Sequence, residues 1–190
     1  METMLHVPAS REEISELRAG DYVYITGTIY TARDAAHKRL YESLTQGEEI
    51  PISLDGTFLY YLGPTPARPG QVIGSAGPTT SSRMDKYTPL LLRKGLAGMI
   101  GKGKRSEEVL RTIVEQQAVY FAAVGGAGAL LSKCITSAEV VAYEDLGTEA
   151  IRKLTVERLP VIVIIDSNGN NLYESAVQAY LSKEQSHMSS

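Results

Sequence analysis

The pattern of apolar and polar residues along the chain predicts alternating strands and helices. Runs rich in β-branched and aromatic residues are typical of strands, and we assign strands to residues 21–27, 71–75, 98–101, 119–124, 138–143 and 160–166. Stretches in which apolar residues recur every three or four positions are typical of helices, and we assign helices to residues 32–44, 80–94, 106–116 and 148–155. This alternation predicts an α/β fold with a central sheet.

The composition indicates a globular protein with a single domain over residues 1–190. The chain has 190 residues, of which 43% are apolar and 22% charged, and this length can bury a substantial core. The polar segment 183–190 is expected to be a disordered tail. The net charge of −3 argues against nucleic acid and membrane partners. Any bound anion must therefore be held by a local cluster of cations.

The single cysteine, Cys134, limits the chemistry available to this chain. One thiol cannot form an internal disulfide or hold an iron–sulfur cluster, and its apolar neighbours indicate a small core residue. No set of histidines and carboxylates has metal-ligand spacing, so no metal site is predicted. The N-terminal segment lacks the pattern of a secretory signal, and the longest apolar run, 161–165, is too short to span a bilayer. We expect a cytoplasmic protein.

The first stretch that could carry chemistry is TARDAAHKR, residues 31–39, where a strand is expected to lead into a helix. Arg33 and His37 are four positions apart and would project from one helix face. The two alanines between them leave room for a ligand. The alternative is a solvated helix start with a surface ion pair, and the pattern alone favours neither interpretation.

The second stretch is GPTTSSRMD, residues 77–85. Four consecutive hydroxyl side chains would stand at a helix N-terminus, where free N–H groups and the helix dipole favour an anion. If Thr79 opens this helix, Arg83 lies one turn further along, and its guanidinium can pair with a carboxylate through two hydrogen bonds. The alternative is simple helix capping, but four hydroxyls in a row exceed what a cap needs.

The third stretch is MIGKGK, residues 99–104, where a predicted strand ends in glycines around Lys102. Ligands of α/β sheets gather at the C-terminal ends of strands, so Lys102 is a candidate anion contact. Lys104 and Arg105 are expected to be solvated. The glycines at 125–128 lack the spacing of a dinucleotide-binding loop, and close helix–strand packing explains them better.

Taken together, these stretches resemble class I fumarate hydratases, the iron–sulfur type. The resemblance is carried by TGT at 26–28, ARDAAHKR at 32–39, GPTTSSRM at 77–84 and IGKG at 100–103. It is to the C-terminal domain of these enzymes, or to the separate β subunit when the enzyme has two chains. It covers about residues 10–175. The β subunit of L(+)-tartrate dehydratase shares the pattern.

The resemblance implies a swivelling β/β/α domain and membership of a hydro-lyase that interconverts fumarate and L-malate. It further implies a [4Fe–4S] cluster bound by three cysteines of a partner α subunit and not by this chain. The assembly implied is an α2β2 heterotetramer. The substrate would be a small dicarboxylate.

The same resemblance implies roles for six residues. Thr79 would take part in proton transfer, and it would need a carboxylate from the partner chain because a hydroxyl is too weak a base alone. His37 would either transfer a proton or orient Arg33 or Asp34. The residues expected to bind the substrate carboxylates are Arg33, Thr80, Arg83 and Lys102.

Three functions stay open from the sequence. The small Ala32 and Ala36 beside Arg33 favour fumarate over the larger L(+)-tartrate or another hydroxy-diacid. A different kind of function is a non-catalytic anion-binding module that stands alone. The occurrence of a three-cysteine α subunit beside this chain would separate an enzyme subunit from a module.

Overall fold

The described part of the chain forms seven strands and six α-helices. A computed structural model describes residues 2–124 and 128–188 of the chain, so Gly125 and Gly126 of the glycine-rich stretch lie outside the described residues. The strands are β1 (Glu2–Val7), β2 (Tyr22–Thr31), β3 (Phe58–Tyr60), β4 (Gly98–Gly101), β5 (Val119–Ala123), β6 (Ile135–Ala142) and β7 (Ile151–Ile165). The helices are α1 (Arg11–Ser15), α2 (Asp34–Thr45), α3 (Thr88–Arg93), α4 (Glu107–Gln116), α5 (Gly128–Ser132) and α6 (Leu172–Met188).

The strands form one sheet that closes on itself. Strands β2, β3, β4 and β5 are parallel neighbours, and β7 runs antiparallel to both β5 and β2. These five strands therefore form a closed, barrel-like arrangement. Strand β1 extends the sheet beside β2, and β6 extends it beside β7.

Both faces of the central strands are buried. In β3, the side chain of Leu59 packs in one apolar cluster, whereas Phe58 and Tyr60 pack in a second cluster on the other face. The first cluster also contains residues of α2, α3 and α4. Because parallel strands covered on both sides need apolar residues at every position, their sequences read as continuous apolar runs. This confirms the α/β domain with a central sheet.

The parallel strands deliver their C-terminal ends to one edge of the sheet. Strand β2 ends at Thr31, β3 at Tyr60 and β4 at Gly101. The three stretches singled out in the sequence either follow these strand ends or are hydrogen-bonded to them. The fold thus assembles the candidate residues from distant parts of the chain, as open α/β sheets do at their carboxyl edge.

Several predicted elements differ from the structure. The helix predicted at 148–155 is wrong, because most of this segment is the first part of β7, paired with β6 and β2. The predicted strand at 71–75 is an irregular loop. The single helix expected over 80–94 is replaced by a 3-10 helix, Ser81–Met84, followed by the short α3. Residues 183–188 of the expected tail belong to α6, and 189–190 lie outside the described residues.

A prediction concerns Gly27, which has φ +129° at an irregularity in the β2–β7 pairing. A Cβ there would collide with the backbone carbonyl of Val7. Gly27→Ala should therefore lower the free energy of unfolding in urea by at least about 3 kcal/mol. The matched control is Gly47→Ala, which also has positive φ but no atom within 4 Å of the added Cβ, and should cost about 1 kcal/mol. Equal losses in the two variants would contradict the steric argument.

Candidate active site

Arg33 and Arg83 are brought together by a shared carboxylate. Arg33 is the residue immediately before α2, and Asp34 is the first residue of that helix. One oxygen of Asp34 lies 2.8 Å from Nε of Arg83, and the other lies 3.8 Å from Nε of Arg33. The Arg83 side chain is 54% exposed. Two guanidinium groups from different parts of the chain therefore lie within ion-pair distance of one carboxylate.

The side chain of Arg33 lies against the backbone after β3. A Cβ on Gly63 would be 2.6 Å from Cδ of Arg33 and 2.8 Å from Nη1. Nε of Arg33 is buried and has no hydrogen-bond partner in the described structure. Unpaired buried donors are uncommon and require an explanation. Oδ1 of Asp34, 3.8 Å away, is likewise buried without a hydrogen-bond partner among the described residues.

The hydroxyl stretch is held between the ends of β3 and β4. The backbone N–H of Thr79 donates to the carbonyl oxygen of Tyr61, and Thr80 forms a parallel bridge with Lys102. Ser81 N–H donates to the Lys102 carbonyl oxygen, and Lys102 N–H donates to Oγ of Ser81. These bonds place Lys102 and Thr80 side by side. Thr79 is half-buried, whereas Thr80 and Lys102 are exposed.

The expected helix N-terminus does not exist at this stretch. Thr80 precedes a 3-10 helix of only four residues and its side chain makes no capping bond, so a helix dipole cannot be the source of anion binding. Ser81 uses its hydroxyl to fix the backbone of Lys102. The side chains of Arg83 and Lys102 therefore supply the positive charge here.

His37 lies in the core directly behind Arg33. It is fully buried, Nδ1 is 2.9 Å from the carbonyl oxygen of Arg33, and its ring packs edge-on against Tyr61 with centroids 5.2 Å apart. Burial lowers the pKa of His37 to about 4, with the Arg33 carbonyl opposing the shift. The imidazole is thus neutral near pH 7, and Nδ1–H donates to Arg33. The structure places His37 below the cations, without access to solvent.

Arg105 is buried, so the expectation that it is solvated is wrong. Its side chain is 0% exposed and pairs with Asp85, with Nε 2.7 Å from Oδ1. Its guanidinium also lies over the rings of Tyr61 and Tyr120. No local pattern in the sequence indicates this burial, since all of these partners are distant along the chain.

The residues of this chain do not fit an iron–sulfur cluster. Cys134, the single cysteine, is half-buried with Sγ 3.8 Å from the carbonyl oxygen of Arg158, and burial raises the pKa of its thiol. Within 2–124 and 128–188, no three histidine, cysteine or acidic side chains form a group that could hold a metal ion. One thiol cannot hold a cluster that needs three thiolates.

The comparison with known proteins decides the family. A model described as the fumarase C-terminus matches residues 1–176. The chain belongs to this family. The matched residues run from β1 to β7 and into the start of α6. They include Arg33 and Arg83, which share Asp34, and the bridge between Thr80 and Lys102.

Relatives of two lengths share this family domain. The chain is 36% identical over 171 residues to a putative L(+)-tartrate dehydratase subunit beta of Methanocaldococcus jannaschii, covering 87% of this chain and 88% of that one. It is 36% identical to the anaerobic class I fumarate hydratase of Escherichia coli and 35% identical to a putative class I fumarate hydratase of Geobacillus stearothermophilus. These matches cover 87% and 94% of this chain. The chain spans only 30% and 35% of those longer proteins.

Three of the candidate residues, Thr80, Arg83 and Lys102, are exposed to solvent. Three cavities of about 570, 480 and 330 Å³ occur elsewhere, two of them beneath the loop 64–75 and one between α4 and α6. None of the six candidate residues lines any of these three. These three cavities therefore do not coincide with the candidate residues. Among the helices in the described parts of the chain, none has the length and apolar character needed to cross a membrane.

A pH prediction follows from His37. Its pKa is lowered from 6.5 to about 4 in the folded chain, so between these values the unfolded chain binds more protons than the folded one. Stability is then lost as the pH falls from about 6.5 to 4, by up to about 3 kcal/mol from this group. His37→Asn cannot titrate there, so the stability advantage of the wild type over the variant should shrink across this range. Urea unfolding at pH 7 and pH 4.5 measures it, and a constant difference would contradict a buried neutral imidazole.

Proposed function

We propose that this chain is the β subunit of an iron–sulfur hydro-lyase that reversibly hydrates fumarate to L-malate, and that it binds the substrate carboxylates. The observation that carries the proposal is the convergence of Arg33, Arg83 and Lys102 at one edge of the sheet. Thr80 lies beside Lys102 and completes the proposed carboxylate-binding set.

The charge of this set supports a dianion. Arg33 and Arg83 contact the carboxylate of Asp34, and Lys102 makes no ion pair among the described residues, so the cations of this edge outnumber the carboxylates that contact them. Fumarate and malate each carry two negative charges. In addition, Nε of Arg33 is a buried donor without a partner among the described residues. Fixed cations of this kind also stabilise the negative charge that develops when a proton is removed next to a carboxylate.

Thr79 and His37 have different roles in this proposal. Thr79 is fixed through its backbone to Tyr61 and is half-buried beside the cations, which suits a hydroxyl that shares a proton with a carboxylate of the partner chain. His37 is neutral and bonded to the carbonyl oxygen of Arg33. We therefore assign His37 to the positioning of Arg33, the second of the two roles considered for it, and Thr79 to proton transfer.

The proposal assigns the metal to another chain. The sequence has one cysteine, so the [4Fe–4S] cluster would be bound by an α subunit in an α2β2 assembly. The open surface around Arg83 and Lys102 supports this division, because a second chain is needed to enclose a small substrate. In this assembly the chain would act as the swivelling β/β/α domain of a cytoplasmic enzyme.

L(+)-tartrate dehydratase is the second candidate, and one observation favours it. The relative named as its β subunit is matched over nearly its full length, 88%. The sequence argument for fumarate also weakens, because Ala32 and Ala36 are buried in the core with 1% and 0% exposure. Their small side chains serve packing and do not shape a substrate pocket. The choice between the diacids is therefore left to the assay.

The carboxylate-binding role predicts the effect of two substitutions. Arg33→Ala and Arg83→Ala should each lower kcat/KM by about 100-fold or more in the assembled enzyme, because a charge-assisted pair with the substrate is lost. Arg→Lys at either site should restore only part of the activity, since lysine cannot make the two-point contact. The control is Lys38→Ala, which removes a cation on α2 that is 66% exposed. Wild-type kinetics in both alanine variants would remove these arginines from the substrate site.

The function itself is tested by reconstitution. We expect this chain, purified with a three-cysteine α subunit without oxygen, to turn over fumarate and L-malate, and the activity to be lost in air. The chain alone should show none of this activity. Turnover of L(+)-tartrate alone would select the second candidate. Dicarboxylate binding by the chain alone, with no turnover by any reconstituted complex, would instead support the anion-binding module.

A further inference from the structure

Arg105 connects the two segments that carry Arg83 and Lys102. We propose that Arg105 is a positioning residue, which sets the separation and orientation of these two substrate-binding cations without touching the substrate. This inference rests on the proposed function. It assigns a functional purpose to a buried ion pair that substrate binding does not itself require.

The first half of the connection runs toward Arg83. Nε of Arg105 lies 2.7 Å from Oδ1 of Asp85, two residues after Arg83, and Nη2 donates to Oγ1 of Thr88 at 3.0 Å. Oδ2 of Asp85 accepts the N–H of Ser106 at 2.7 Å. The end of the 3-10 helix and the start of α3 are therefore both attached to residues 105–106.

The second half runs toward Lys102. The Arg105 guanidinium lies over the Tyr120 ring, 4.7 Å from its centroid. The Tyr120 hydroxyl is 2.7 Å from Oγ of Ser81 and 2.8 Å from the carbonyl oxygen of Gly103. All contacts are satisfied if Lys102 N–H donates to Ser81, Ser81 donates to Tyr120, and Tyr120 donates to Gly103. The backbone on both sides of the Lys102–Gly103 peptide is thus fixed by one buried chain of bonds.

The two halves meet at one cation, which makes Arg105 hard to replace. Nη2 also donates to the hydroxyl of Tyr61 at 3.1 Å, so the residue that follows β3 is bonded to Arg105 as well. Removing the guanidinium leaves the carboxylate of Asp85 mostly buried, with a side chain 13% exposed, and without its cation. Because breaking a buried pair on one side costs far more than a surface pair is worth, Asp85 is expected to move toward solvent and to shift the segment of Arg83.

The kinetic test uses Arg105→Met in the complex with the α subunit. If Arg105 positions the substrate-binding cations, KM for the diacid should rise about tenfold or more while kcat changes by less than about threefold. The matched control is Arg11→Met. Arg11 is a half-buried arginine that donates to the Gly95 carbonyl oxygen, at the opposite end of β4 from Lys102. A variant with lower kcat and unchanged KM would show that Arg105 only maintains the amount of folded enzyme, and would overturn the proposal.

Amide hydrogen exchange tests the positioning role without an activity assay. In the isolated full chain, the amide protons of Ser81 and Lys102 should exchange with solvent about tenfold faster or more in Arg105→Met than in Arg11→Met. Equal exchange would overturn the positioning role whatever the enzyme does. Faster exchange, in a chain whose wild-type complex turns over no diacid, would support the positioning and reject the proposed function alone.

Tyr120→Phe covers the case in which Arg105→Met does not fold. It removes only the hydroxyl that joins Ser81 to Gly103. We expect faster exchange at Lys102 and a KM increase of a few-fold, in the same direction as for Arg105→Met. Wild-type exchange and KM in Tyr120→Phe would then overturn the proposal.

Discussion

The site depends on the closure of the sheet by β7. This strand of 15 residues pairs with β2, β5 and β6, and it joins the two ends of the parallel run β2–β5. Because β2, β3 and β4 are parallel neighbours, their C-terminal ends lie at one edge, and the closure by β7 holds these strands in one sheet. Arg33, Gly63 and Lys102 follow these strands at short range, so their proximity is a consequence of topology and not of any local motif. A segment predicted in part as a helix thus provides the main long-range constraint.

Much of the site could be predicted because its residues lie at strand ends. The pattern correctly indicates a strand before Arg33 and another before Lys102, and four-residue spacing brings His37 to the Arg33 carbonyl. The direction of each side chain could not be predicted. Arg33 is half-buried against Gly63, whereas His37 is fully buried in the core, because the helix begins at Asp34 and one of its faces packs on the sheet.

The missed features all depend on partners that are distant along the chain. Residues 80–94 have apolar positions at helical spacing, but the bridge between Thr80 and Lys102 and the hydroxyl contacts of Ser81 favour a 3-10 turn there. Arg105 follows a glycine-rich strand end, which is usually solvated. Its burial is compensated by Asp85, 20 positions away, and by Tyr61, 44 positions away. Local patterns carry no information about such pairs.

The charges of this edge fall into two classes that differ in compensation. Arg105 is buried, with a carboxylate 2.7 Å away and further hydrogen bonds to Tyr61 and Thr88, so its charge is satisfied within the chain. Arg33 and Arg83 share one carboxylate, Lys102 makes no ion pair among the described residues, and all three are partly or largely exposed. Because these cations outnumber the carboxylates that contact them, the dianion proposed as the ligand would supply the missing negative charge.

Openness is the remaining property of the site that requires an explanation. A cation on an exposed surface competes with water and salt, and its attraction for a dicarboxylate is weak there. The same cations become strong and selective only when water is excluded. In this chain Arg83 and Lys102 are exposed and stand on a rigid edge already organised by the buried bonds beneath them. In the proposed complex, this chain would supply the arrangement of the cations. The surface of the partner chain would exclude water and so strengthen the attraction of these cations for the dicarboxylate.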